Sequence, residues 1–146
     1  MEKENKYYGS YICLTSSQLF LLASICNYNW SNYFESLVIL STYIVSCIYH
    51  YYPTLQTKYN DEVVARILVC VTCVSSLYRS NIFPTIFTLL LAYMYYNRPN
   101  FVPNTYIDNL YHSICSHMIA FFGLMALYYN NTQSNNYEDI IEVFFS

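Results

Sequence analysis

Five apolar blocks, broken only by short polar, Asn-rich or Pro-containing stretches, run from Tyr11 to Tyr129 and dictate what this chain can fold into. They cover approximately Tyr11 to Tyr28, Phe34 to Tyr52, Glu62 to Tyr78, Ile82 to Tyr96 and Ile107 to Tyr129. Within them apolar residues are near-continuous and lack the periodic polar face of a helix half in water. A bilayer-crossing helix needs about 20 such residues, fewer where the membrane thins locally. Charged residues make up only 10% of the chain, against about 25% in a soluble domain, too few to build a water-facing surface. The expected fold class is therefore all-α, a polytopic membrane helix bundle of about five transmembrane helices over residues 1–129, with a polar and then acidic tail over 130–146.

The block ends carry Tyr28, Trp30, Tyr33, Tyr49, Tyr51, Tyr52, Tyr95, Tyr96, Tyr128 and Tyr129, and the chain has 19 Tyr in all. Such rings anchor helices at headgroup level. Pro84 falls where the fourth helix should begin, a position that tolerates proline. The first block, behind Lys3 and Lys6, lacks a small-residue cleavage site and reads as a retained helix rather than a signal peptide.

With an odd number of spans, Lys3, Lys6, Lys58 and Arg98 share one side and Arg79 stands alone on the other. The positive-inside rule then places the N-terminus in the cytoplasm. Asn29 and Asn130, each opening an Asn-x-Ser/Thr pattern, fall opposite, in agreement. The net charge of -3 with 6 basic residues leaves no basic patch for nucleic acid. The six cysteines sit in or beside apolar blocks and read as small hydrophobes; the pair Cys70 and Cys73 has no second pair to complete a metal or redox motif.

Ionisable groups inside spans are costly and mark functional candidates. Here they are Glu35, His50, Asp61, Glu62, Arg66, Asp108, His112 and His117, including every histidine in the chain. Glu62 and Arg66, four apart, read as a structural helix pair. His50 ends the second span, Asp61 lies just before the third, and His112 and His117 open the fifth, so span parity brings all four to one end of the bundle. Ser46, four before His50, shares its face one turn deeper. Three histidines from two helices with an Asp beside them suit zinc, three neutral imidazoles holding the ion and leaving a fourth position for water. The competing reading is that these groups merely hydrogen-bond at the membrane interface.

Ser46-Cys47-Ile48-Tyr49-His50, then Asp61 eleven residues on, then two closely spaced histidines in a late span, resemble the CREST superfamily. That group comprises alkaline ceramidases, progestin and adipoQ receptors, and myomaker-like proteins with their GPI-processing relatives. The pair Tyr49 and His50 and the run His112-Ser113-Ile114 look most like the myomaker and GPI-processing branch. The resemblance covers roughly Leu37 to Tyr129. It implies a Zn²⁺ ion on His50, His112 and His117, Asp61 holding or deprotonating a water, Ser46 hydrogen-bonding a substrate carbonyl, and a membrane lipid reaching the site from the bilayer. It also admits a non-enzymatic receptor or fusion-type protein with a structural metal; a structural membrane protein without metal is the third alternative, and the oligomeric state is left open.

The chain departs from that pattern twice. Five spans stand where the family has seven, a difference of two that preserves the side from which the last helix enters. His112 and His117 are five residues apart rather than four, about 140° apart on a regular helix instead of about 40°. Two ligands at this spacing require a bulge of the backbone between them, or a His112 that precedes the helix.

Overall fold

The structure, a computed structural model, describes residues 5–29, 31–101 and 106–127, with side chains from Tyr11 onward. The tail expected over 130–146 lies outside the described residues, as do Lys3, Lys6 and Trp30. Five helices account for the fold: α1 (Asn5–Asn29), α2 (Tyr33–Tyr51), α3 (Leu55–Tyr78), α4 (Phe83–Tyr96) and α5 (Tyr106–Leu127). No strand occurs among the described residues. Each helix packs on the next in sequence, and α5 closes the ring by packing on α1 and α4.

Local chemistry sets the corners. α1 and α3 both end with a serine in left-handed backbone, Ser31 at φ 62° and Ser80 at φ 52°. In each case the next two amides turn back onto the helix: Ser31 N–H donates to Tyr28 O (3.1 Å) and Asn32 N–H to Asn27 O (2.9 Å), while Ser80 N–H donates to Leu77 O (3.1 Å) and Asn81 N–H to Ser76 O (3.0 Å). This paired closure satisfies carbonyls that a helix end leaves bare. Pro53 stops α2, since it has no amide hydrogen to extend the ladder. Thr54 then caps α3 reciprocally: Thr57 N–H donates to Thr54 Oγ1 (3.1 Å) and Thr54 N–H to Thr57 Oγ1 (2.9 Å).

That cap starts α3 seven residues before Glu62, the boundary the apolar block suggests. Asp61, expected ahead of the helix, therefore lies in its second turn. Pro84 sits in the first turn of α4, as the sequence predicts. The fourth helix is short at 14 residues, about 21 Å long. α5, of 22 residues, is the described helix long and apolar enough to cross a membrane. Its backbone is not uniform, because Ser113–Met118 forms a π-helical turn.

The interior is unusual in what it holds. Phe20, Ala23, Ile39, Leu68, Leu124 and Leu127 form a narrow apolar core, with Val38, Tyr43, Ala120 and Phe121 against it. Around it Ser17, Asn27, Ser46 and Ser76 are almost wholly enclosed, while Leu22, Ile25, Phe34, Leu37, Val74, Phe83 and Leu89 face outward. Small and polar residues line the helix contacts; large apolar ones cover the outside.

Candidate metal centre

The buried stripe of α2, Ser36, Ile39, Thr42, Ser46 and His50, advances by three or four residues, so His50 enters the bundle as the last step of a packed face. From α5 the π turn delivers the other two histidines. A π turn spends one extra residue on one turn, which brings the five-residue spacing of His112 and His117 back onto a common face. Of the two arrangements the spacing allows, a bulge or a His112 ahead of the helix, the bulge is the one present.

The three rings converge. Centroid separations are 5.5 Å for His50 and His112, 5.5 Å for His50 and His117, and 4.8 Å for His112 and His117. One ring nitrogen from each lies within 4.8 Å of the others. Nitrogens sharing a tetrahedral zinc at about 2.0–2.1 Å stand about 3.3 Å apart, so closing on an ion asks each ring to move on the order of 1 Å. His50 and His117 are buried, and the Nε2 atoms of His50 and His112 are enclosed with no hydrogen-bond partner among the described residues. An enclosed polar atom without a partner costs about 1–3 kcal/mol, and a cation on those lone pairs would remove that penalty. The donor set therefore fits a zinc ion.

The Nδ1 nitrogens of His117 and His112 each face a serine hydroxyl. Ser16 Oγ lies 2.5 Å from His117 Nδ1, and Ser116 Oγ lies 3.3 Å from His112 Nδ1. Phe20 meets His117 edge-on at 5.3 Å, and Tyr49 leans on His50 at 4.9 Å. Ser46, 2% exposed, approaches Ser17 Oγ at 3.1 Å and lines the same cavity as Asp61. Ser46, His50, Asp61, His112 and His117 therefore occupy one end of the bundle together, as span parity predicts.

Two cavities meet there. One of about 110 Å³ lies between α3, α4 and α5, walled by Phe20, Leu68, Phe87, Leu91, Gly123 and Leu124. The other, of about 130 Å³, opens at the helix ends beside Tyr49, Lys58, Tyr95, Arg98 and Asn109. Asp61 and His112 line both. Arg98 and Asp108 form an ion pair at this mouth, joining the end of α4 to the start of α5.

The remaining candidates stand apart from the histidines. Glu62 is bracketed by Lys58 at 3.8 Å and Arg66 at 3.7 Å, half-exposed pairs one helical turn apart that contribute little. Glu35 pairs with Arg79 at the opposite end of the bundle. Cys70 is exposed and, like Cys73, a free thiol. Ser16, Ser17 and Ser116 carry no motif; the only signal in the sequence is that each is a hydroxyl within an apolar block. Compared with protein-family profiles, with curated proteins and with solved structures, the chain matches none.

Proposed function

We propose that this is a multi-pass membrane protein of CREST type that binds zinc at His50, His112 and His117 and hydrolyses an ester or amide bond in a membrane lipid. The observation that carries the reading is the convergence of three histidines, two with enclosed Nε2 atoms that have no partner among the described residues, where an apolar and a polar cavity meet. The inverted interior supports membrane embedding, since lipid-facing surfaces are apolar and helix contacts in a bilayer favour small and hydroxyl side chains. With the histidine end toward the cytoplasm, Lys58 and Arg98 obey the positive-inside rule.

Zinc, when bound, supplies Lewis-acid polarisation and activates water for attack on a carbonyl. A lipid with its hydrocarbon in the cavity beside Phe87 and Leu91 and its polar part beside Tyr49 and Lys58 sets its carbonyl linkage near Asp61 and His112. The Asp61 carboxylate accepts the proton of the attacking water, and the Ser46 hydroxyl donates to the carbonyl oxygen as negative charge develops on it.

A second reading, a metal-stabilised protein without catalysis, is favoured by the cavity of about 110 Å³, which is small beside the roughly 300–1,000 Å³ of most ligand sites. Zinc analysis and lipid turnover on purified protein separate the two. The hydrolase reading expects about one zinc per chain, lost in His50→Ala. It also expects Asp61→Asn to keep the zinc while slowing turnover about 10²–10⁴-fold. Stoichiometric zinc with no turnover of any lipid leaves the non-catalytic reading, and wild-type protein without zinc overturns both.

A further inference from the structure

His117 is gripped from a helix that carries none of the three histidines. Ser16 on α1 places its oxygen 2.5 Å from His117 Nδ1, 101 residues away in sequence. A serine hydroxyl has one proton to give. Two acceptors compete for that of Ser16, the Cys13 carbonyl oxygen at 3.0 Å and the Ser113 hydroxyl oxygen at 3.0 Å. With its proton directed to either, Ser16 turns a lone pair toward the ring. Nδ1 then carries the imidazole proton and donates it to Ser16.

We infer that Ser16 is a positioning residue for the metal site: its oxygen holds the proton of His117 on Nδ1 and so leaves Nε2 bare to ligate. This rests on the reading of the histidines as metal ligands. A histidine that binds metal through one nitrogen commonly donates from the other, which fixes both tautomer and ring orientation. The opposite arrangement, a proton on Nε2, would occupy the nitrogen that is left for an ion once Nδ1 faces Ser16. The edge contact of Phe20, also from α1, blocks the ring from turning away. α1 thus supplies the orientation of a ligand it does not itself contribute.

The test is zinc affinity, by chelator competition on the full-length protein in detergent. Ser16→Ala should weaken binding about 10–100-fold, and Ser16→Thr, which keeps the hydroxyl, should match wild type. Ser24→Ala is the control: it removes another enclosed hydroxyl of α1, one donating to Ser36 O at 2.9 Å, far from the histidines. It should leave zinc affinity unchanged whatever it costs in stability. Equal affinity in wild type and Ser16→Ala overturns the inference while leaving the metal site standing. An equal loss in Ser24→Ala overturns it as well, by tracing the effect to general loosening of α1. Wild-type protein that binds no zinc removes the metal reading and this inference together.

Discussion

The two ends of the bundle are built from similar polar side chains and use them in opposite ways. At the end away from the histidines, polar groups are closed against one another. Arg79 donates to Glu35 at 2.6 Å, Ser75 donates to the same carboxylate at 2.8 Å, and Asn81 Nδ2 donates to Ala126 O at 2.9 Å. Ser76 and Thr85 hydroxyls meet at 2.8 Å, and Asn32 donates to Asn27 at 3.2 Å. At the histidine end, Nε2 of His50 and of His112 are enclosed without partners among the described residues. Saturated polar clusters hold helices in register. A cluster with residual bonding capacity has room for a further partner, which is the role proposed above for a metal ion.

The largest test of this contrast is His50→Phe, which keeps an aromatic ring against Tyr49 and removes the unpartnered nitrogen. Zinc binding should vanish. In the presence of chelator the variant should unfold later than wild type by about 1 kcal/mol, because the penalty for the enclosed nitrogen goes with it. Denaturant titration of both proteins with and without zinc reads the two effects, and a destabilised metal-free variant would place the histidine end among the saturated clusters.

Arg79→Ala is the mirror experiment at the other end. Removing one partner of a mostly buried ion pair strands Glu35, so stability should fall by about 3 kcal/mol while zinc affinity stays at the wild-type value. A drop in zinc affinity would mean that the two ends are mechanically coupled rather than independent. The smallest effect is expected at Gly123, beside the first turn of α4, where an added Cβ would meet Phe87 Cβ at 3.0 Å. Gly123→Ala should cost about 1–3 kcal/mol in overpacking, offset by about 1 kcal/mol of helix propensity. The net loss, about 1 kcal/mol by the same unfolding assay, turns into a gain only if Phe87 yields.

Legibility in the sequence followed how strongly each feature is imposed locally. Apolar blocks reported five helices because long near-continuous apolar runs separated by polar breaks leave little else to form. The start of α3 was hidden, since Leu55 to Asp61 is polar by composition and becomes helical through the cap that Thr54 and Thr57 build together. The convergence of His50, Asp61, His112 and His117 followed from span parity, whereas their spacing left open whether the last two meet through a bulge or through a His112 ahead of the helix. Ser16 was not readable: a serine in an apolar block serves equally for close helix packing and for holding a histidine, and only the approach of α5 to α1 tells these apart. The pairing of Glu35 with Arg79, and of Arg98 with Asp108, likewise depends on which helix ends meet.

The π turn over Ser113–Met118 has a consequence for chain length. Such a turn contains one residue more than an α-helix making the same angular advance. Deleting a residue from an ordinary helix swings everything beyond it by about 100°. Here the surplus residue can be withdrawn without that swing. Removal of Ile114, half exposed at 48%, should convert the segment to regular α-helix, place the two histidines four apart, and leave Gly123, Leu124 and Leu127 facing inward as before. α5 is therefore expected to accept a deletion at this one point while shortening elsewhere along it disrupts the core, and zinc retention in the Ile114-deleted protein would show that the register between its two halves is set here.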